Sequence, residues 1–537
     1  RMQKGRHQGK PVKINAKGNF FPASLRKYIE GDDRMKGNSR TKATLLAVSA
    51  AVLLCLFAVP ALAKDTLVVA NIYDARTLDP IVQNEVATSG MCLHIYDTLL
   101  ALDQENNLVP MLAEKWEQID DVTYKFTLRK GVKFHNGEPF SAKDVKYTVE
   151  RAQTPVGSAI RQYSEVVDKV EIVDDYTVIF KLKAPFTPFL MSLSHTWGSI
   201  VNQKAVEAAG ESYGMNPVGT GPFKFKSWNK GDRIVLERND DYWGKKPAYK
   251  ELVMRAVAES INRTIELESG AVDIAYRVPV TDVRRVEENE KLTLYRHLEN
   301  STTYMGFNCA KAPWDNPKVR QAVRLALDNV GMQKAVFRGT GRAPNAPVAP
   351  SVKYSHKDIP YVKRDVEAAK KLLAEAGVQL PLKAEIWTND YKPRRDLATI
   401  IQAQLKEVGI ELEHKVLEWG AYLDGLQKKT HDMYILGWVA SVPDAEFAIS
   451  GVLRSTGGSN YSFFADAEVD ALLEKGKSLP DGEERAAVYK KVQERIHELA
   501  PWVYMYNEET FHGSQKNVKG FVPSPRGYHL LTNVTFE

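Results

Sequence analysis

Hydrophobic and polar positions alternate with a period of two along several stretches of the chain. In VTYKFTLRKGVKFHNGEPF, Val122, Tyr124, Phe126 and Leu128 fall on one face and Thr123, Lys125 and Thr127 on the other. That is the pattern of a half-buried strand, and Lys130-Gly131 turns it toward a second strand at Val132–Phe134. VDKVEIVDDYTVIFKLK repeats the arrangement, with Asp174-Asp175 punctuating two strands. Between them SAKDVKYTVERA predicts a helix, Ser141 serving as cap and Asp144 completing a capping box. Earlier, TLVVAN reads as a short β-branched strand. The polar loop Asp74–Ser89, which holds Pro80 and Asn84, leads from it into the helix-like run SGMCLHIYDTLLAL.

From Thr303 the texture changes to alternating strands and helices. NPKVRQAVRLALDNVGM sets Val319, Ala322, Val323, Ala326, Leu327 and Val330 on one helical stripe behind Pro317. RDVEAAKKLLAEAGV is capped by Asp365 and closes at Gly377. KAEIWTN, IELEHKVLEW, HDMYILGW and PWVYMYNEE read as strands, and PRRDLATIIQAQLKEVGI, DAEVDALLEKGKSL and GEERAAVYKKVQERIHELA as helices. This alternation predicts an α/β lobe with a substantially parallel sheet. The pair Gly219 and Gly221 in PVGTGPFKFKSW lacks the full G-x-G-x-x-G spacing, and strand alternation resumes after it. The reading is a structural turn rather than a phosphate cradle.

At 537 residues the chain is too long for one core. One domain is expected at about 64–303 and a second at about 304–508, with a cleft between them. The formal charge of +6 is concentrated in residues 1–63, which carry 12 Lys/Arg against 3 Asp/Glu; the rest holds 61 against 64. A near-neutral body removes the main support for nucleic-acid binding. The basic residues Lys36, Arg40 and Lys42, the apolar run from Ala43 to Val59 and the small-residue site Ala61-Leu62-Ala63 read as a secretory signal over 35–63, cleaved after Ala63. The run is barely long enough to span a bilayer, and its ending argues against a retained anchor. Met35 is a natural start, so 1–34 reads as an upstream segment outside the fold. Cys92 and Cys309 remain after cleavage, and two such cysteines are more often free than bridged.

No H-E-x-x-H, G-x-S-x-G, Walker A or C-x-x-C motif occurs, which moves the reading from catalysis to binding. No metal or other cofactor is expected, since no compact His/Cys cluster stands in the sequence. Trp197, Trp387, Trp419 and Trp438 stand near predicted strand ends, where rings can either wall a ligand cleft or pack a core. Arg394-Arg395 lies between a strand and a helix start, a place where a guanidinium fork and free N–H groups suit a carboxylate. In YILGWVASVPDAEF, an apolar run breaks into a Ser/Pro/Asp loop just after Trp438. The stretch is either an ordinary strand end or the wall of a site.

LVPMLAEKWEQIDDVTYKFTLRKGVKFHNGEPFSAKDVKYTVERA, PVGTGPFKFKSWNKGDRIVLERNDDYWG, ESINRTIELESGAVDIA, YMGFNCAKAPWDNPKVRQAVRLALD and SNYSFFADAEVDALLEKG resemble the family 5 extracellular solute-binding proteins of ABC importers. The resemblance covers essentially all of 64–537. It implies a two-lobed type II periplasmic binding protein fold, with an extra subdomain at about 98–215 in the first lobe. It also implies that the tail 509–537 returns to that lobe. The function implied is that of a periplasmic monomer that closes on one solute and docks on an inner-membrane ABC permease, with no covalent chemistry.

The dipeptide-binding branch looks nearest. There an arginine matching Arg394 or Arg395 holds the ligand carboxylate, with Arg394 favoured because it lies nearer the strand-end loop. The same branch places an aspartate three residues beyond the tryptophan of Gly437-Trp438, to hold the ligand ammonium; here that position is Ser441. Asp444 or Glu446 would have to replace it, or the ligand lacks an ammonium there. The candidate ligand residues are therefore Arg394, Arg395, Trp438, Ser441, Asp444, Trp419, Trp197 and Asn84. The expected ligand is a small carboxylate-bearing solute: a dipeptide, short peptide or amino-acid-like compound. A nickel chelate, a secreted peptide hydrolase and a chaperone-like binder are the alternatives.

Overall fold

The computed structural model describes residues 64–103 and 106–537. Residues 1–34 and 35–63, read above as an upstream segment and a secretory signal, lie outside the described residues. Three sheets organise the rest. The first has seven strands in the order Leu292–Leu298, Glu509–Gln515, Ile274–Ala275, Thr66–Asn71, Glu251–Ala256, Arg233–Arg238 and Phe223–Asn229. Thr66–Asn71 pairs in parallel with both of its neighbours, and the other pairings are antiparallel. Glu509–Gln515 lies between Leu292–Leu298 and Ile274–Ala275, so the C-terminal stretch is built into the sheet that opens the fold.

The second sheet runs Ile410–Leu417, Leu382–Asn389, Met433–Val439, Ser301–Phe307 and Trp502–Tyr506. Its first three strands are parallel, but Ser301–Phe307 is antiparallel to both of its neighbours. The expectation of a substantially parallel sheet thus holds for only part of it. The reason is connectivity. Ser301–Phe307 arrives directly from Leu292–Leu298, and Trp502–Tyr506 runs directly on into Glu509–Gln515. Ser301–Phe307 thus enters this sheet at the end where Met433–Val439 and Trp502–Tyr506 finish, so it runs opposite to both. Apolar clusters cover both faces, one around Met305, Phe307 and Ile386, the other around Tyr304, Tyr434 and Trp502.

The third sheet is the extra subdomain: Ala113–Asp120, Thr123–Leu128, Thr177–Leu182 and Val167–Asp174, all antiparallel. Tyr124, Phe126 and Leu128 point inward as their alternation predicts, against the helix Ala142–Ala152 and Phe180. That helix carries the predicted capping box, the Ser141 N–H donating to Asp144 Oδ2 at 3.0 Å. Val132–Phe134 forms no strand; Lys133 makes only an isolated bridge to Pro139. The stripe from Val319 to Val330 is also interrupted. The helix Pro317–Ala326 ends before Asp328, whose Oδ1 accepts from Gly331 N at 2.9 Å to start a new helix. Val330 therefore emerges exposed. Cys92 and Cys309 are both free.

The Gly219–Gly221 turn has a structural purpose. Its glycines lie on the backbone of Ile95, with Gly221 N donating to Ile95 O at 2.9 Å. Thr220 Oγ1, Tyr242 OH and Trp243 Nε1 all donate to the buried Asp97 carboxylate at 2.8–3.0 Å. A Cβ on Gly219 would stand 2.1 Å from Ile95 O, whereas a Cβ on Gly90 meets nothing within 4 Å. Gly219→Ala should therefore cost about 1–3 kcal/mol through overpacking. Gly90→Ala, inside the helix Val86–Ile95, should be neutral or gain up to about 1 kcal/mol. Urea unfolding midpoints measure both, and equal effects of the two substitutions would contradict this account.

Candidate functional site

Met433–Val439 is buried at its start and pairs with Ser301–Phe307 so that Thr303 faces Gly437 and Ser301 faces Val439. From Gly437 to Ser441 this chain lines a cavity of about 220 Å³. The opposite wall comes from the first sheet and the segments leaving it: Tyr73, Asn84, Glu85, Tyr276 and His512. The cavity thus lies between the two lobes, and further contacts cross from one side to the other. Tyr73 stacks on Trp419 with centroids 5.1 Å apart, its hydroxyl accepts from Asn389 Nδ2 at 3.0 Å, and Arg76 reaches Asp424 at 3.3 Å.

Arg394 sits in the first turn of the helix Lys392–Lys406, immediately after Pro393. Its Nη1 donates to Asn389 Oδ1 at 3.0 Å, and its guanidinium lies 5.8 Å from the ring centroids of both Tyr391 and Trp419. A Cβ on Gly437 would be in ordinary contact with Arg394 Nη2, at 3.5 Å, so the guanidinium lies directly beside the strand. Among the described residues, no carboxylate stands within ion-pairing distance of Arg394. Arg395 is not among the lining residues. Its charge acts on His414 of the strand Ile410–Leu417, whose pKa is lowered first by burial and then by that guanidinium.

Trp419, Trp438, Ser441 and Asn84 also line the cavity. The Trp438 indole donates to Phe447 O at 2.9 Å, and Ser441 Oγ donates to Arg526 O at 3.4 Å. Besides Arg395, two expected contacts fall elsewhere. Trp197 is 1% exposed in the subdomain core, donating to Ser192 O at 2.8 Å. Asp444 caps the helix Ala445–Leu453 and is clasped by Arg485 through bonds of 2.7 and 2.8 Å. Glu446 is buried against Ser450 and Tyr489 at 2.6 and 2.7 Å. Neither acid lines the cavity. Trp387, likewise outside it, donates to Glu385 at 2.8 Å.

Several lining groups were not legible in the sequence. Arg277 receives Glu299 at 2.8 Å and also pairs with Glu508. Burial raises the Glu508 pKa, and Arg277 opposes that shift. Glu85 is raised by burial too, partly offset by Arg76 at 3.3 Å. His297, His512 and His529 come from separate segments yet meet: His512 lies 4.5 Å from His529 and 5.3 Å from His297, centroid to centroid. Among the described residues neither ring nitrogen of His512, nor the hydroxyl of Tyr276 beside it, has a hydrogen-bond partner. The sequence showed no compact histidine cluster because these residues are 215 and 17 positions apart. Among the described residues, no group of three or more His, Cys, Asp or Glu is placed to hold a metal ion.

Comparison with known proteins agrees with this architecture. Residues 107–460, more than half of the chain, match the model for bacterial extracellular solute-binding proteins, family 5, middle region. The glutathione-binding protein GsiB of Pectobacterium atrosepticum is 29% identical over 492 residues, covering 89% of this chain and 95% of its own. The periplasmic binding protein DppA of Helicobacter pylori, solved with the peptide STSA, superposes with a TM-score of 0.84. It is 29% identical and covers 88% of this chain and 98% of its own. A dipeptide-binding protein of Pseudoalteromonas sp. SM9913, solved with Met-Leu, gives a TM-score of 0.83 at 25% identity, covering 88% and 100%. The chain belongs to the family 5 extracellular solute-binding proteins of ABC importers. Its family and fold are those of periplasmic or secreted transport proteins, not enzymes.

Two outcomes follow from the buried charges. Arg277→Met leaves Glu299 and Glu508 unpaired and should cost about 3–5 kcal/mol in urea unfolding; a loss below about 1 kcal/mol would contradict the clamp. The histidines set a pH dependence. Burial lowers His297 to about 4 and holds His512 and His529 well below the usual 6.5. The unfolded chain then binds more protons below about pH 6.5, so stability falls as pH drops from there toward 4. Each such histidine contributes at most about 1.4 kcal/mol per pH unit. Unfolding midpoints should fall between pH 7.5 and 5.5, and less steeply in His512→Gln; a flat profile in the unsubstituted protein would refute this.

Proposed function

We propose that the protein captures a small carboxylate-bearing solute (a dipeptide, short peptide or amino-acid-like compound) between its lobes and delivers it to an ABC permease, after export with cleavage following Ala63. One observation carries this reading: Arg394 is a cavity guanidinium without a carboxylate partner among the described residues, while Arg277 is already saturated by Glu299 and Glu508. A ligand carboxylate completes the bidentate pairing that Arg394 lacks. The ligands named for the relatives, glutathione, STSA and Met-Leu, all carry carboxylates. Tyr73, Trp419 and Trp438 add ring surface that buries ligand area at low entropic cost.

The counter-charge for a ligand ammonium comes, in this reading, from Glu85 on the opposite wall. Its ion-pair partner Arg76 is 43% exposed, so solvent screens that pair; burial disfavours the bare carboxylate, and a ligand ammonium would favour its charged form. Closure proceeds as a hinge motion about the two crossovers and strengthens these contacts by excluding water.

Calorimetric titration with dipeptides tests the assignment. Arg394→Ala should weaken binding roughly tenfold to a hundredfold, the worth of a charge-assisted hydrogen bond of about 1.5–3 kcal/mol, and Arg395→Ala should leave it unchanged. Glu85→Gln should reduce the preference for a dipeptide over its deaminated analogue. Unaltered affinity in Arg394→Ala would overturn the carboxylate reading; an unaltered preference in Glu85→Gln would overturn only the ammonium assignment.

A further inference from the structure

A second cavity, of about 320 Å³, lies in the second lobe and shares no lining residue with the cleft. It is bounded by the end of the helix Pro317–Ala326, the segments around 344–345 and 360–364, the helix Glu483–Leu499 and the strand Trp502–Tyr506. Four buried polar atoms of its lining residues have no hydrogen-bond partner among the described residues: Arg324 Nε, Asn329 Oδ1, His497 Nδ1 and Tyr504 OH. Native proteins rarely leave such groups unsatisfied. Tyr504 is only 3% exposed, so its hydroxyl has no ready access to bulk water.

Cations outnumber carboxylates along the lining, Arg324, Lys363 and Arg364 against Asp328. Arg324 donates through Nη1 to His497 O, and among the described residues it has no carboxylate within ion-pairing distance. Burial lowers its pKa, as it does for a cation without a counter-ion. Lys363 and Arg364 add positive charge, and Arg364 is answered from outside the cavity by Glu407 at 2.8 Å. Asp328 is the lining carboxylate, and its Oδ1 is engaged by the Gly331 N–H at 2.9 Å. The Asn329 amide donates to Tyr504 O at 2.7 Å, which leaves its buried oxygen as an acceptor without a donor among the described residues.

We infer that this cavity is a second ligand site, built for a small oxyanion that also carries a hydrogen-bond donor, with hydrogen phosphate as the simplest example. Arg324 Nε and Tyr504 OH donate to the anion oxygens. The protonated oxygen, or a hydroxyl on an attached organic group, donates to Asn329 Oδ1. Sulfate satisfies the two donors but offers nothing to the acceptor. The volume exceeds what inorganic phosphate fills, so an organic substituent fits alongside.

Calorimetric titration of the full protein with inorganic phosphate, against sulfate at matched ionic strength, tests this. Because both salts strengthen apolar burial generally, only saturable binding counts. Phosphate should saturate and bind more tightly than sulfate. Arg324→Met should weaken phosphate binding at least tenfold and Tyr504→Phe several-fold, while Arg394→Ala leaves it unchanged. Tyr504→Phe removes one oxygen, so it decides the matter should Arg324→Met fail to fold. Absence of saturable heat, indicating hydration alone, would overturn the inference. So would equal affinity in both second-lobe variants, or a loss confined to Arg394→Ala, which puts the anion in the cleft.

Discussion

The cleft depends on one ionic clamp. The chain passes between the two main sheets twice, at Glu299-Asn300 and at Asn507-Glu508, and the passages lie side by side, with Glu299 N donating to Glu508 O at 2.9 Å. Arg277, just beyond Ile274–Ala275 in the first sheet and held at φ +51°, engages both carboxylates. A buried pair of this kind adds little net stability over an apolar replacement, but removing one partner is severe. Its effect is therefore on geometry. Both linkers are fixed to the first lobe at their carboxylates, and Asn507 Nδ2 reaches across to Ser301 O at 3.0 Å, so that the linkers also register against each other.

The same clamp sets the electrostatics of the ligand space. A guanidinium holding two carboxylates is spent, so Arg277 lines the cavity without attracting an anion. Its neighbours carry more negative charge than it cancels, and burial relieves part of that by pushing the Glu508 carboxyl up. Arg394 stands on the other lobe with an amide partner and two aromatic faces. Charge is thus divided by wall: acid-rich on the first lobe, one uncommitted cation on the second. A dipolar solute reads that division most strongly when closure excludes water and the local dielectric falls.

Period-two alternation located Thr123–Leu128 and Thr177–Leu182, and helix caps at Ser141 and Asp365 were readable because capping is a local matter of a few residues. Arg394, Trp419 and Trp438 could be nominated because strand ends and helix starts are visible in the sequence. Nearness to the strand-end loop favoured Arg394 over Arg395, but the helix's rotation against the sheet decides which one stands beside Gly437. The clamp and the histidine cluster were illegible for a different reason. Arg277, Glu299 and Glu508 meet through a sheet that joins residues more than 200 positions apart, and no periodicity carries that. Trp197 misled because a tryptophan beside polar residues looks the same in a core as in a cleft. The Trp438 position is the case in which both descriptions apply, its ring lining the cavity while its N–H is tied to Phe447 O.

The fate of the acid near Ser441 follows from the same energetics. Freeing Asp444 to meet a ligand ammonium would strip Arg485, which is 0% exposed, of its bidentate partner and the helix Ala445–Leu453 of its cap. Arg485 would keep Asp481 at 2.9 Å, so the first loss costs about 3 kcal/mol, the low end for a broken buried pair, and the second about 1 kcal/mol. An ion pair newly formed with a ligand returns less than that sum, so a rearranged loop path is closed to this residue. Glu446 is held by Ser450 and Tyr489 and is no freer. The segment after Trp438 therefore presents the cavity with a hydroxyl and no charge, and under the proposed function the choice among ammonium-bearing and ammonium-free solutes falls to Glu85 on the facing lobe. A counter-charge on the opposite wall engages fully only when the lobes are closed, so in the proposed reading recognition of the ligand's amino end belongs to the conformational step and initial docking to Arg394.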